Sequence, residues 1–290
     1  MERAVAFVLR AIPIVFAGSA LLACGSITAV GSDGRPTASQ QNELSSSVQD
    51  EVAASLAALT VSAPGTPAFF PVIAGCPTTS GSADTDGDGI PDDAMLTFQN
   101  PPCTATGFRG GSLGVSGSLR IQDPSGGNST AFNLTLTNLT WAFTDSVGTA
   151  VYTSIRNGTR ARLGSTSAAK ITNAMTTQRQ RPAIATATLS LATVDSFVAS
   201  APGTLLVGQP LPSGLFAVTG SLNWHRSTEN WSLVVATTAA LQYDATCLTT
   251  AQRIKAGQIT LTGTVANVPG VLVITWSACG TDPARHWIAS

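Results

Sequence analysis

The stretch from residue 216 to residue 235 reads FAVTGSLNWHRSTENWSLVV and shows most directly what kind of fold this chain adopts. Apolar side chains alternate with polar or small residues on both sides of a polar segment at 225–230. A two-residue period places the apolar side chains on one face of a strand, so this stretch predicts a β-hairpin with one buried face.

The same alternation recurs along most of the chain. It runs through residues 113–121, 132–143 and 259–276, where a turn at 267–270 joins two further strands, and more weakly through 183–199. Connections this short join antiparallel neighbours, because parallel strands need a crossover of a dozen or more residues. We therefore expect an all-β fold, an antiparallel meander that forms either a sandwich or a partly open barrel.

Two local features refine this expectation. The apolar set changes parity between Leu136 and Leu139, which requires an extra residue in a continuous strand and predicts a β-bulge or a break near Asn138. The dipeptide Asn157-Gly158 is typical of a tight turn.

A single helical pattern precedes the strands. Apolar residues recur every three or four positions at Leu44, Val48, Val52, Leu56 and Leu59. The acids Glu43, Asp50 and Glu51 fall outside this stripe. The pattern predicts an amphipathic helix over about 40–60, with Ser39 as N-cap and Pro64 beyond its end. We expect its apolar stripe to pack on the sheet, the alternative being contact with a helix of a partner protein.

The amino terminus has the features of an export signal. Arg3 and Arg10 precede an apolar run at 11–23 that is too short to anchor in a bilayer. Leu21, Leu22, Ala23 and Cys24 then resemble the lipobox of bacterial lipoproteins, the alternative being a plain secretory signal with an incidental cysteine. The resemblance implies a signal peptide at 1–23, a lipidated Cys24 with a small-residue tether to residue 38, and one β-rich domain at 39–290.

Membrane attachment and location follow from the same resemblance. Lipidation of Cys24 implies a protein held on the membrane through its acyl chains. Gly25 follows the cysteine in place of the aspartate that usually retains such proteins at the inner membrane, so we expect the outer membrane.

The charge content of the chain restricts the classes of partner that it can bind. Charged residues make up 11% of the chain and the formal net charge is −1. Such a chain has no electrostatic basis for binding nucleic acid or an anionic membrane surface, so we set nucleic-acid binding aside.

Four cysteines remain once Cys24 is assigned to lipid, namely Cys76, Cys103, Cys247 and Cys279. An even number in an exported chain favours two disulfides. We favour the local pairings Cys76 with Cys103 and Cys247 with Cys279. A zinc site is the alternative, although the spacing lacks a CxxC and His225 and His286 are the only histidines.

Residues 84–93 carry the strongest chemical signal, DTDGDGIPDD. Asp84, Asp86 and Asp88 alternate, Gly89 permits a sharp turn, and the Ile90 carbonyl can serve as a further ligand. The stretch resembles thrombospondin type-3 calcium loops and the first half of an EF-hand loop, which implies a structural Ca²⁺. Because Met95 stands where an EF-hand has glutamate, Asp92 or Asp93 must complete the coordination shell. A solvated acidic turn is the alternative interpretation.

One catalytic motif occurs in the sequence, as chance allows in a chain rich in glycine and serine. Residues 110–114 read GGSLG, which matches the G-x-S-x-G of serine hydrolases. A nucleophile elbow leads into a helix, whereas a strand pattern follows here, so we do not assign catalysis to Ser112 with His225 or His286.

Three functions remain as hypotheses. The first, which we prefer because catalytic signals are lacking, is a non-enzymatic envelope lipoprotein with a structural or protein-binding domain. The second is a carrier that encloses a small hydrophobic ligand between sheet and helix, an outline that resembles periplasmic lipoprotein carriers. The third is an enzyme with a dispersed site.

Overall fold

The computed structural model describes residues 35–59, 76–81, 83–106, 111–124, 130–206, 209–247 and 253–290. The signal peptide, Cys24 and most of the tether lie outside these ranges. The described chain forms one helix and one sheet, with these bounds: α1 (Ala38–Ala58), β1 (Thr78–Ser80), β2 (Asp93–Thr106), β3 (Ser112–Gln122), β4 (Phe132–Thr144), β5 (Ala150–Gly164), β6 (Ala168–Arg181), β7 (Ile184–Ala199), β8 (Gly214–Arg226), β9 (Glu229–Tyr243), β10 (Ile254–Val265), β11 (Val268–Trp276) and β12 (Ala284–Ala289).

The antiparallel meander predicted from the alternation is confirmed. All twelve strands belong to one sheet in chain order, and each pairs with the next in antiparallel fashion. The sheet is not closed. The twelve strands thus form one continuous, open sheet rather than two separate sheets.

The bulge predicted near Asn138 is present. The register between β4 and β5 shifts between Leu136 and Leu139, and Asn138 adopts a left-handed φ of 48°. Opposite the bulge, Gly117 of β3 has a φ of 100°, and a Cβ there would lie 2.3 Å from the carbonyl oxygen of Asn138. The extra residue lets apolar side chains before and after it face the same side.

The turn predicted at Asn157-Gly158 is wrong, because both residues lie inside β5. The side chain of Asn157 accepts a hydrogen bond from the backbone N–H of Asn138 at 2.7 Å, and so satisfies a donor that the bulge exposes. Gly158, with a φ of 131°, allows a close approach to Ala174 of β6. This pair therefore serves the neighbouring bulge.

Two hairpins are close to their predicted positions. The β8–β9 turn is formed by residues 227–228, within the expected polar segment. The β10–β11 turn consists of Ala266 and Asn267, with φ values of 51° and 67°, so it begins one residue earlier than predicted, and Pro269 and Gly270 already belong to β11. Positive φ at both turn residues matches the twist of antiparallel strands.

The helix is confirmed, with a different cap. Thr37, rather than Ser39, is the N-cap, and it forms a capping box in which its side chain accepts from the Gln40 N–H while the Gln40 side chain accepts from the Thr37 N–H. Pro64 lies outside the described residues. The predicted stripe is buried and joins the same apolar core as the inner face of the sheet: Leu44, Val48, Val52, Leu56 and Leu59.

Alternating strand direction gives the sheet two unlike ends. We call the hairpin end the one with the short turns at 145–149, 182–183, 227–228 and 266–267, and the loop end the one with the connections at 83–92, 123–131, 165–167, 200–213, 244–253 and 277–283. The helix begins at the hairpin end, because the Gln40 side-chain amide donates to Glu229 at 2.8 Å. The aspartate segment lies at the loop end.

Candidate functional site

The aspartate loop, residues 84–92, folds against the loop end of the sheet. Its ends are held together by a hydrogen bond from the Asp92 N–H to the Ala83 carbonyl at 2.8 Å. Ile90 is buried in the core and anchors the loop from inside. The loop is thus fixed on a rigid sheet while its acidic side chains remain at or near the surface.

The first three aspartates form a compact group of oxygens. Asp84 accepts from the N–H groups of Gly87 at 2.8 Å and Gly89 at 3.0 Å, and Asp88 accepts from the Ile90 N–H at 2.7 Å. One carboxylate oxygen from each of Asp84, Asp86 and Asp88 lies within 4.8 Å of the other two. The backbone donors therefore turn these carboxylates toward a common point.

This grouping is electrostatically costly. Burial raises the pKa of Asp88, the Ile90 N–H lowers it, and the neighbouring carboxylates of Asp86, Asp84 and Asp92 raise it, with a net increase. The Oδ2 atom of Asp88 is buried and has no hydrogen-bond partner. In the described part of the chain, no lysine or arginine forms an ion pair with residues 84–92.

Asp92 and Asp93 have different environments. Asp92 lies beside the loop, where its Oδ1 accepts from the Thr85 N–H and hydroxyl, each at 3.1 Å. Asp93 begins β2, and both of its oxygens accept from the Arg120 guanidinium at 2.7 and 2.6 Å. The Arg120 hydrogen bonds hold the pKa of Asp93 below its usual range. Asp92 is therefore the better candidate to complete an oxygen shell.

Asp123 is a neighbour of the loop that the sequence analysis missed. It follows β3, and its N–H donates to the carbonyls of Pro91 and Asp92, each at 3.2 Å. Burial raises the pKa of Asp123, and the charges of Asp88, Asp86, Asp92 and Asp84 raise it further. An acid directly after the alternating 113–121 segment was the available signal, but the pairing of β2 with β3 was needed to place it here.

The cysteines pair as favoured. Cys76 bonds to Cys103 and Cys247 bonds to Cys279, with Cα separations of 6.0 and 5.9 Å. Asp244 lies near the second pair, but the two sulfurs are joined to each other, so they cannot act as zinc thiolates. The second disulfide joins two connections of the loop end.

A second polar cluster, between α1 and the inner face of the sheet, was also missed. Glu51 accepts from Arg160 at 2.6 Å, Asp50 accepts from Arg179 at 2.7 Å, and Glu43 pairs with Arg226. We call these three pairs the helix clamp. Of the clamp arginines, only Arg160 had a sequence signal, because it shares the inward positions of β5 with Arg156 and Arg162.

The helix clamp is buried and its charges are balanced. The side chains of Glu51 and Arg160 are 6% and 4% exposed. Burial alone would raise the pKa of Glu51, but Arg160, Arg156 and Arg179 outweigh burial and hold it below its usual value. Asn173 extends the cluster by donating to Asp195 at 2.7 Å, and burial raises the pKa of Asp195.

Little space remains between helix and sheet. The cavity lined by Val48, Glu51 and Asp195 has a volume of about 10 Å³, room for a single water molecule. A shallow hollow of about 210 Å³ lies elsewhere, over β7, β8 and β9, and includes polar residues such as Ser190, Asn223 and His225.

The hydrolase-like residues do not come together. Ser112 on β3 shares a hydrogen bond with the Thr144 hydroxyl at 2.7 Å, and His225 Nδ1 contacts the Asn230 side chain at 2.7 Å. His286 lies on β12. Within the described ranges, Ser112 makes no hydrogen bond to either histidine.

Comparison with known proteins gives no relatives: no family model, no curated protein and no solved structure matches this chain. Across the described residues, no helix has both the length and the apolar character needed to cross a membrane.

Proposed function

We propose that this protein is a lipid-anchored lipoprotein of the cell envelope, with a structural or protein-binding β domain whose loop end is held by Ca²⁺. The observation that carries the proposal is the gathering of Asp84, Asp86 and Asp88 around one point, with no ion pair to an arginine or lysine among the described residues. Anchoring rests on the lipobox resemblance of residues 21–24.

The donor chemistry fits Ca²⁺. All of the candidate ligands are oxygens, which hard cations prefer, and Ca²⁺ binds oxygens at about 2.3–2.6 Å. Two oxygens on opposite sides of such an ion would be about 5 Å apart, so three oxygens that lie within 4.8 Å of one another are close enough to share one ion. Asp84, Asp86, Asp88, the Ile90 carbonyl and Asp92 would hold the ion, and Asp123 lies beside them. Asp93 is already paired with Arg120.

The ion's role would be structural. It would neutralise the carboxylates that repel one another and fix the loop onto β2 and β3. Flanking elements are strands, rather than the paired helices of calcium sensors. We therefore expect a rigid loop end, not a switch that opens on calcium binding.

The serine-hydrolase pattern gains no support, since Ser112 and His225 form hydrogen bonds to Thr144 and Asn230 rather than to each other. Packing under α1 weighs against the carrier hypothesis. A carrier needs a cavity of several hundred cubic ångströms. The cavity lined by Val48, Glu51 and Asp195 under α1 holds only about 10 Å³, so a hydrophobic ligand placed there would have to displace the helix and break the helix clamp. We retain the structural or protein-binding role for the envelope domain.

Native mass spectrometry tests the proposal. A soluble form that begins after Cys24 should carry the added mass of one Ca²⁺, lose it on chelation, and release no lipid-sized species on mild denaturation. The matched control is Asp86→Asn, which keeps the side-chain shape and should lose the ion. A bare polypeptide mass in the presence of Ca²⁺ would reject the calcium site, and a released lipid would favour the carrier.

The membrane anchor needs a separate measurement. Mass analysis of the full-length protein purified from membranes should show acyl chains on Cys24 and no residues 1–23. Cys24→Ala should release the protein from the membrane fraction. An unmodified Cys24 would reject the lipoprotein assignment without affecting the calcium site.

A further inference from the structure

We propose that the hairpin end of the sheet faces the lipid bilayer, with the turn tip at Val147 in contact with the membrane surface and the loop end pointing away from it. This inference rests on the proposed lipidation of Cys24. It adds an orientation and a membrane-contact surface to the proposed function.

The first argument is where the chain enters the domain. The N-cap Thr37 starts α1, and three residues later Gln40 donates to Glu229 at 2.8 Å, at the start of β9. Glu43 pairs with Arg226 at the end of β8. These contacts fix the beginning of the helix beside the β8–β9 turn, so the chain arrives from the membrane at the hairpin end.

The second argument is reach. Arg35 lies eleven residues after Cys24, and a fully extended segment of that length spans at most about 40 Å. The path along β8 from Arg226 to Leu215 covers about 36 Å at the usual rise per residue. Inverting the domain would therefore require a tether stretched along nearly the whole sheet. The hairpin end reaches the bilayer without any such extension.

The third argument is the chemistry of the hairpin end. Val147, at the tip of the β4–β5 turn, is 82% exposed, the highest value among the exposed large apolar side chains. The Asp145 carboxylate accepts from the N–H groups of Val147 and Thr149 at 3.0 and 2.8 Å, so it is turned toward the backbone. Ile184 begins β7 at the same end, next to the exposed Arg181. Apolar tips beside a cation suit the boundary between headgroups and acyl chains.

The loop end presents a competing surface. Val198 and Leu215 pair across β7 and β8 and are about half exposed, as is Leu163 on β5. However, the same end carries the aspartate loop and Asp123, and one bound Ca²⁺ would offset only two of these five negative charges, so anionic headgroups would still be repelled. The limited length of the tether and the negative charge of the loop end therefore both place the loop end away from the bilayer.

Site-directed fluorescence quenching tests the orientation on the full-length lipidated protein. A single cysteine would be introduced at Val147 or, as the matched control, at Leu215, since both are exposed apolar positions on the same sheet. Each would carry a small fluorophore. The protein would be reconstituted into vesicles of phosphatidylcholine and phosphatidylglycerol that contain a nitroxide-labelled lipid.

We expect the nitroxide lipid to quench the label at residue 147 and to leave the label at 215 unchanged. Quenching at 215 that equals or exceeds quenching at 147, or no quenching at either position, would overturn the orientation. Mass analysis of Cys24 in the same samples separates the two proposals. A lipidated protein with the wrong quenching pattern overturns the orientation alone, whereas an unmodified Cys24 overturns the anchor and the orientation together.

Discussion

Two groups of carboxylates in this protein have opposite surroundings. The acids of the helix clamp, Glu43, Asp50 and Glu51, each pair with an arginine on the inner face of the sheet. The acids of the aspartate loop lie close to one another, and in the described part of the chain they form no ion pair with an arginine or lysine.

This difference distinguishes a cluster that holds the fold together from a cluster that can bind an ion. In the helix clamp the chain supplies both charges, so the ion pairs form when the protein folds, without an ion from solution. In the aspartate loop the chain supplies only the negative charges and arranges them with backbone hydrogen bonds. A cation from solution would supply the positive charge that the described residues do not, which is the physical basis of the proposed calcium site.

The largest effect should come from breaking the buried part of the helix clamp. Glu51→Gln leaves the Arg160 guanidinium buried without its counter-charge, and breaking a buried pair in this way costs about 3–5 kcal/mol. Urea unfolding monitored by tryptophan fluorescence would measure the loss. A loss below about 1 kcal/mol would mean that the pair does not hold the helix.

Binding of Ca²⁺ to the aspartate loop should raise the free energy of unfolding by less than the loss expected for Glu51→Gln. At a free Ca²⁺ concentration of 100 times Kd, a ligand that binds only the folded state adds about 2.7 kcal/mol to the free energy of unfolding. Thermal unfolding with Ca²⁺ and with chelator should therefore give different midpoints for the native chain. Asp86→Asn should abolish the difference, whereas a midpoint that does not respond to chelation would contradict the proposed site.

Asp195 offers a smaller, pH-dependent test of the buried cluster. Burial raises its folded-state pKa above the usual 3.8, so ionised Asp195 reduces stability at neutral pH. Asp195→Asn keeps an acceptor for Asn173 and removes the charge, so its Tm should exceed the native Tm at pH 7 by a few degrees. The difference should shrink as the pH falls and vanish below about 3.8, where the native carboxyl is protonated in both states. A variant less stable than the native chain at pH 7 would show that the ionised form is needed.

The smallest effect is expected for the exposed pair of Asp93 and Arg120, whose side chains are 49% and 43% exposed. Solvent screens such pairs, so Asp93→Asn should leave the midpoint of urea unfolding almost unchanged. The same variant should keep calcium binding, because Asp93 is engaged by Arg120 rather than turned to the loop. Loss of calcium binding in Asp93→Asn would show that Asp93, and not only Asp92, completes the shell.

Local sequence patterns were sufficient for much of the fold. Period-two alternation predicted the strands, and the parity change after Leu136 predicted the bulge at Asn138. Both are properties of neighbouring residues, since side-chain direction alternates along a single strand. The same holds for the apolar stripe of α1, which packs as predicted.

The errors and omissions concern contacts between distant residues. Glu51 and Arg160 are 109 positions apart, so the helical pattern alone could only place Glu51 outside the apolar stripe. Asn157 was interpreted as a turn residue because its hydrogen bond to Asn138 depends on the register of β4 and β5. Asp123 reaches the aspartate loop through the pairing of β2 with β3.

Calorimetric titration of Ca²⁺ into the soluble form that begins after Cys24 tests the central claim most directly. We predict one binding site in the native chain, retained in Asp93→Asn and lost in Asp86→Asn, with Mg²⁺ binding more weakly because it requires a smaller, near-octahedral shell. No heat of binding in the native chain, or equal binding in Asp86→Asn, would contradict the account.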